Sequence, residues 1–337
     1  MGRAAIGMGF GSDDSVWIVA IWRWLRLGFL QQVLEMGEIM KLTGIHFLLT
    51  YQCVFECDHC FVWSSPRQSG VFTLDQIRRV LAQAGELGTV DSIFFEGGEP
   101  FLYYRLMVKG LSMAKAAGFE TGVVSNGYWA TETEDALEWL KPIAMVLDHL
   151  TVSTDLFHFS EKISRQSQHI LAAAEALGMS VGNLTVAQPE EAGLTATGQL
   201  PDGECEIMYR GRAAAKLTAQ AEKKAWNLFT ECPYEDLREP GRLHLDPLGN
   251  LHICQGISIG NLFEKPLADI CRDYDPDTHP IVGPILAGGP AKLAETYGVK
   301  HEDAYADACH LCYETRVALR DRFPGCLTPD QMYGVES

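Results

Sequence analysis

Basic residues are scarce. The chain has 27 Lys and Arg against 44 Asp and Glu, a formal net charge of −17. No run of basic residues offsets that balance locally, so a phosphate backbone would be repelled and nucleic acid is excluded as a partner. Long uncharged apolar runs are also missing. Residues 16–30 (VWIVAIWRWLRLGFL) are apolar but interrupted by Arg23 and Arg26. The stretch is too short and too charged for a membrane-spanning helix, and no small-residue cleavage site follows it. It suits an amphipathic helix on the protein body or a membrane surface, and Met36 or Met40 would serve equally well as a start. Residues 1–40 are therefore an N-terminal extension to which no function is assigned. No repeat of solenoid period is present.

What remains is a chain of 337 residues, 47% hydrophobic, with enough apolar content to bury a large core. Ten cysteines are many. A disulfide framework belongs to small secreted domains, so metal binding is the better reading of cysteines in a chain this large.

Strand and helix patterns alternate to about residue 215, which predicts an α/β fold with parallel strands and ligands at the strand C-terminal ends. Strands are expected at 44–51, 92–95, 121–125, 150–154 and 179–187, with a further one at 206–209. Helices are expected at 105–117, 131–140 and 158–177. A helix opening at Thr73 has Gln76 placed for a capping box. Leu74, Ile77, Val80, Leu81 and Ala84 share one face, and Gly88 ends it. Residues 242–254 read as a hairpin turning at 247–250. Beyond it the sequence looks irregular and in need of a staple, and five cysteines lie at Cys254 or later.

Cys53, Cys57 and Cys60 form a C-x3-C-x2-C run directly after the first strand. Three thiolates on one loop can converge on one small object. Four protein ligands would close a [4Fe-4S] cluster, whereas three leave an iron open. A zinc site or buried free thiols are the alternatives that spacing leaves open. The next strand ends in Glu96-Gly97-Gly98-Glu99-Pro100. Two glycines let backbone approach a ligand closely, and Glu99 offers an acceptor to an ammonium group.

Together these residues resemble the radical S-adenosylmethionine (radical SAM) superfamily, over about residues 44–215. His59 departs from the pattern, standing where the family usually has an aromatic. The resemblance implies a partial (β/α)6, TIM-like barrel over 41–215. It implies a [4Fe-4S] cluster on Cys53, Cys57 and Cys60, whose open iron chelates S-adenosylmethionine. Gly97, Gly98, Glu99 and Pro100 would take the methionyl amino group; Ser125, Asn126, Ser153 and Asp155 would hold the sugar. Asn126-Gly127 is equally a good turn, and Asp155 could cap the helix expected from 158. The implied reaction is reductive cleavage to methionine and a 5′-deoxyadenosyl radical that abstracts substrate hydrogen. A low-potential donor of the flavodoxin or ferredoxin type would supply the electron.

Cys232, Cys254, Cys309 and Cys312 resemble the ligands of the SPASM or twitch extensions of such enzymes. This implies a smaller C-terminal cysteine-rich auxiliary domain over 228–337. Ala318 and Arg322 stand where further cysteines would be expected and only Cys326 follows, so one auxiliary [4Fe-4S] cluster is favoured over two. The alternatives are a structural zinc on the same residues or Cys326 in place of one ligand. Cys205 and Cys271 read as buried core thiols, and Arg210-Gly211-Arg212-Ala213 as a solvated basic turn or an anion contact. His244 and His252 read as strand surface, and no histidine as a metal ligand. The substrate expected is a peptide, a protein or a small molecule. Residues 1–43 are too short for a fused leader-peptide-binding domain. The compartment expected is the reducing cytoplasm. The competing function is a non-catalytic iron–sulfur or zinc protein in electron transfer or assembly.

Overall fold

The computed structural model describes residues 40–161, 163–189 and 203–335. The extension expected before Met40 lies outside the described residues. Strands β1 (Leu42–Thr50), β2 (Ser92–Gly97), β3 (Glu120–Ser125), β4 (His149–Ser153), β5 (Val181–Val186) and β6 (Gly203–Cys205) pair in that order, all parallel. Four helices make the crossovers: α1 (Leu74–Leu87), α2 (Tyr104–Ala116), α3 (Thr133–Leu140) and α4 (Arg165–Ala176). A short α5 (Arg212–Lys216) follows β6. This is a mixed α/β fold on a parallel-strand core.

Local chemistry explains the crossovers. In α1, Thr73 accepts from the Gln76 amide while the Gln76 side chain accepts from the Thr73 amide, and Gly88 closes the helix in the left-handed region. Ile77, Val80, Leu81 and Ala84 are its buried face. Each of the larger three contributes ~1.5–3 kcal/mol by leaving water. The fourth crossover differs from expectation. The helix begins at Arg165 and not at 158, because Ser164 caps it through the Ser167 amide while 155–161 form turns and bends. The strand expected at 206–209 is instead Gly203–Cys205.

The C-terminal part continues the same sheet. After a two-residue β7 (Lys224–Ala225), strand β8 (Gly241–Leu245) runs parallel to β1, pairing Ile45 with Leu243 and Phe47 with Leu245. β9 (Asn250–Cys254) and β10 (Ile257–Asn261) extend it as an antiparallel meander, giving nine strands in the order β10-β9-β8-β1-β2-β3-β4-β5-β6. The hairpin turn lies where expected. Asp246 organises it, accepting from the Leu248 and Asn250 amides at 2.9 Å each and from Tyr51 Oη at 2.9 Å.

The remainder is less irregular than the sequence suggests. α6 (Leu267–Asp273), α7 (Val282–Tyr297) and α8 (Ala308–Leu319) pack there, with β11 (Ala304–Tyr305) pairing with β7. α7 is kinked at Gly288-Gly289-Pro290. A Cβ at Gly289 would lie 2.3 Å from the Glu231 amide nitrogen, so the kink lets the 229–231 segment close on the helix. No helix among the described residues is long and apolar enough to cross a membrane.

Candidate active site

The strand ends border a cavity of about 1320 Å³, counting its open mouth. Cys53, Cys57 and Cys60 line it, with Gly97 ending β2 and Gly98 after it, Ser125 ending β3 and Asn126 after it, Ser153 on β4 and Leu184 and Val186 on β5. The strand ends thus bring the three-cysteine loop and the glycine pair to one place.

The glycines are there because backbone passes backbone. Gly98 N donates to Thr50 O at 2.7 Å and Glu99 N to Gln52 O at 2.9 Å. A Cβ on Gly98 would stand 2.0 Å from Gln52 O, and Gly97 has a φ of 123° that L side chains rarely adopt. This close approach aligns the end of β2 with the residues just before Cys53.

Glu99 is fully buried and does not line the cavity. Its Oε1 accepts from the Phe101 amide at 3.0 Å and from Ser125 Oγ at 2.9 Å; its Oε2 accepts from the Asn126 amide at 2.9 Å. Burial pushes its pKa up to about 7, against the pull of those bonds. Glu99 thus holds Ser125 and Asn126 from behind the cavity wall. Pro100 opens a 3-10 turn behind it. Asp155 also lies behind the wall. It accepts from the Phe157 amide at 3.0 Å and faces His158 Nδ1 at 2.8 Å, and it caps no helix.

The thiols have donors aimed at them. Cys53 Sγ faces the Phe55 amide at 3.4 Å and Asn126 Nδ2 at 3.5 Å; Cys60 Sγ faces the Ser64 amide at 3.3 Å. Burial nevertheless pushes the Cys53 thiol up to about 12 and Cys57 higher still. Such sulfurs become thiolates when a cation compensates their charge, as a bound metal does. The donor set therefore fits an iron–sulfur group.

Arg212 fixes the loop that carries them. Its amide donates to Cys60 O at 3.0 Å, Nη1 to Cys57 O at 2.7 Å and Nη2 to Ser64 O at 2.7 Å. Both Arg210 and Arg212 are buried, so the solvated basic turn read from the sequence is corrected. The histidine readings change as well. His252 is buried against Asp246 at 3.0 Å. His244 Nε2 lies 2.8 Å from Glu96 Oε1, which also faces His46 Nδ1 at 3.2 Å. Burial pushes His244 down to about 4, while the two imidazoles outweigh burial at Glu96 and hold it well below its usual range. Alternating apolar neighbours marked these histidines as facing away from the core of a hairpin. In fact β8 sits inside the sheet with His244 in the wall of the first cavity, and His252 lies on the buried stretch of β9.

Cys232, Cys254, Cys309 and Cys312 line a second, smaller cavity together with Arg210, Tyr234, Glu235 and Arg316. Cys309 and Cys312 lie in the first turns of α8, whose cap Asp307 accepts from the His310 amide at 2.7 Å. Cys326 does not line this cavity. Cys205 lines the first one, and Cys271 is buried in the core.

The site is thus a three-thiol loop set against a glycine turn at the strand ends of a parallel α/β sheet. Residues 47–177 of the chain match the Radical SAM superfamily. Over 111 residues it is 28% identical to YydG of Bacillus subtilis (strain 168), a protein provisionally named for peptide biosynthesis; the match spans 33% of this chain and 35% of that protein. It is 24% identical over 132 residues to an S-adenosylmethionine-dependent nucleotide dehydratase of Fibrobacter sp. (strain UWH6), spanning 35% of each. The chain thus matches about a third of the length of these curated relatives. The crystal structure of Streptococcus suis SuiB bound to precursor peptide SuiA superposes with a TM-score of 0.53 at 13% identity, covering 92% of this chain and 84% of that one. That likeness is one of fold.

Proposed function

We propose that this protein is a radical SAM enzyme that modifies a peptide. The observation that carries the reading is the shared cavity of Cys53, Cys57 and Cys60 with Gly97, Gly98, Ser125, Asn126 and Ser153. Cys53, Cys57 and Cys60 would hold a [4Fe-4S] cluster with one open iron. The cluster and S-adenosylmethionine together supply one-electron cleavage of the sulfonium to methionine and a 5′-deoxyadenosyl radical, which takes a substrate hydrogen. The chain's own residues orient and enclose. Gly97 and Gly98 would lie against the methionyl amino group, and Ser125, Asn126 and Ser153 line the wall where a ribose would lie. Apolar Leu184 and Val186 exclude water from the reacting region. The electron would come from a flavodoxin or ferredoxin type donor. Similarity to a protein named for peptide biosynthesis supports a peptide as substrate.

Cys232, Cys254, Cys309 and Cys312 would hold one auxiliary [4Fe-4S] cluster. Iron and zinc counts on anaerobically purified protein separate this from a structural zinc. The competing reading, a non-catalytic electron carrier, gives no reason for a glycine-walled cavity beside the thiols. Anaerobic incubation with S-adenosylmethionine and dithionite is expected to yield 5′-deoxyadenosine, falling to background in Cys57→Ala. Iron-loaded protein that forms none would refute the enzyme reading.

A further inference from the structure

The two cysteine cavities share Arg210 and Tyr234 in their walls. Arg210 is 7% exposed. Its Nη1 donates to Glu235 Oε1 at 3.2 Å and to Cys254 Sγ at 3.3 Å. Its guanidinium carbon lies 5.5 Å above the ring of Phe61, the residue after Cys60. Two positions on, Arg212 binds the carbonyls of Cys57, Cys60 and Ser64. Gly211 links them at a φ of 60°, so close to the first cysteine loop that a Cβ would lie 2.6 Å from the Phe61 backbone. The tripeptide therefore runs between the two sites, with one arginine committed to each.

A guanidinium has donors only and does not lose its charge in proteins. One carboxylate, Glu235, neutralises it. A neutral thiol is a weak acceptor for the remaining contact, whereas a metal-bound thiolate makes a charge-assisted hydrogen bond. Hydrogen bonds to cluster sulfur are among the factors that set cluster potential, because they favour the more negative, reduced state. Arg316 is also buried beside this cavity; its hydrogen bonds go to the Cys312 and Gln255 carbonyls, the Gln255 side chain and Tyr333, and it also acts on the Cys312 thiol, whereas Arg210 is the one that donates to Cys254.

We propose that Arg210 is a positioning residue for the auxiliary site, donating to the Cys254 thiolate and thereby raising the reduction potential of the cluster bound there. The inference rests on the auxiliary-cluster reading above.

The test is an anaerobic redox titration of the full chain, followed by electron paramagnetic resonance. The first cluster is recognised by the change in its signal when S-adenosylmethionine is added. Arg210→Gln is expected to keep both clusters, shift the auxiliary midpoint to a more negative value and leave the first midpoint unmoved. Arg210→Lys keeps the charge, but one ammonium cannot serve Glu235 and Cys254 equally, so a smaller shift of the same sign is expected. The exposed Arg238→Gln is expected to change neither midpoint. Unchanged auxiliary midpoints in both Arg210 variants would overturn the inference while leaving the auxiliary cluster in place. Should Arg210→Gln lose iron, Arg210→Lys decides alone, and a wild-type midpoint in it counts against the proposal. Wild-type protein with iron for a single cluster, or with zinc in the second cavity, would overturn the underlying reading and the inference with it.

Discussion

Glu99 concentrates the site's positional information in one carboxylate. Its two oxygens accept from two backbone amides and one hydroxyl, and the Asn126 they fix reaches Cys53 at 3.5 Å. A glutamine has the same shape but only one accepting oxygen. Whichever way the amide turns in Glu99→Gln, at least one buried donor faces an NH2 group. Leaving a buried donor unsatisfied costs about 1–3 kcal/mol. The variant is expected to melt several degrees lower and to retain less iron per chain, read by calorimetry and iron assay. Wild-type melting and iron content would show that the Asn126 placement does not depend on Glu99. The sequence marked Glu99 through Gly-Gly-Glu-Pro but not its direction. A motif gives residue types at a ligand-facing turn, whereas the side-chain direction came from the Ser125 and Asn126 donors on a different strand. Arg212 was illegible for the same reason: its partners are carbonyls more than 140 positions away.

Elements were readable where their stop and start signals are local. α1 follows its capping box and terminal glycine. α4 was drawn too long because His158 looked like a helix start, while the actual cap is Ser164 and His158 is turned to Asp155. α7 was missed because Gly288-Gly289-Pro290 reads as a breaker. It does break the helix, but as a kink inside a continuing element. The hairpin β8–β9 was read correctly in position but not in environment, and Asp246 shows the consequence. Burial pushes this carboxyl upward, but His252 and the bonds from Asn250 outweigh it and hold its pKa below the ordinary value. A carboxylate whose folded pKa is depressed stabilises the fold at pH above its unfolded value of ~3.9, and that contribution is lost as pH falls through the folded value. Asp246→Asn is thus expected to lower the denaturation midpoint clearly at pH 7, with the gap to wild type narrowing below about pH 4. Urea titrations at the two pH values measure this, and a gap that stays constant with pH would contradict it.

At the scale of the whole molecule, the first cysteine loop is held from the far end of the chain. Trp63 Nε1 donates to Tyr313 Oη at 2.9 Å, and Gln331 Nε2 donates to Val62 O at 2.8 Å. β8 is hydrogen-bonded along β1, and Tyr51 at the end of β1 is tied to Asp246 in the hairpin. If residues beyond 228 unfolded alone, β1 would become an edge with unpaired amides, and the buried Leu243 and Leu245 would leave their partners Ile45 and Phe47 facing water. Exposing four such side chains costs roughly 6–12 kcal/mol, comparable with the entire stability of an ordinary domain. A partly unfolded intermediate is therefore too high in free energy to accumulate. Calorimetry of the full chain is expected to give a single endotherm for the described body, with visible absorbance and far-ultraviolet circular dichroism lost at the same temperature. Two separated transitions, with the visible chromophore surviving the first, would mean that the first cysteine loop stands without the C-terminal clamps. The interactions drawn here across β1, β8 and the 313–331 segment would then be far weaker than their geometry implies.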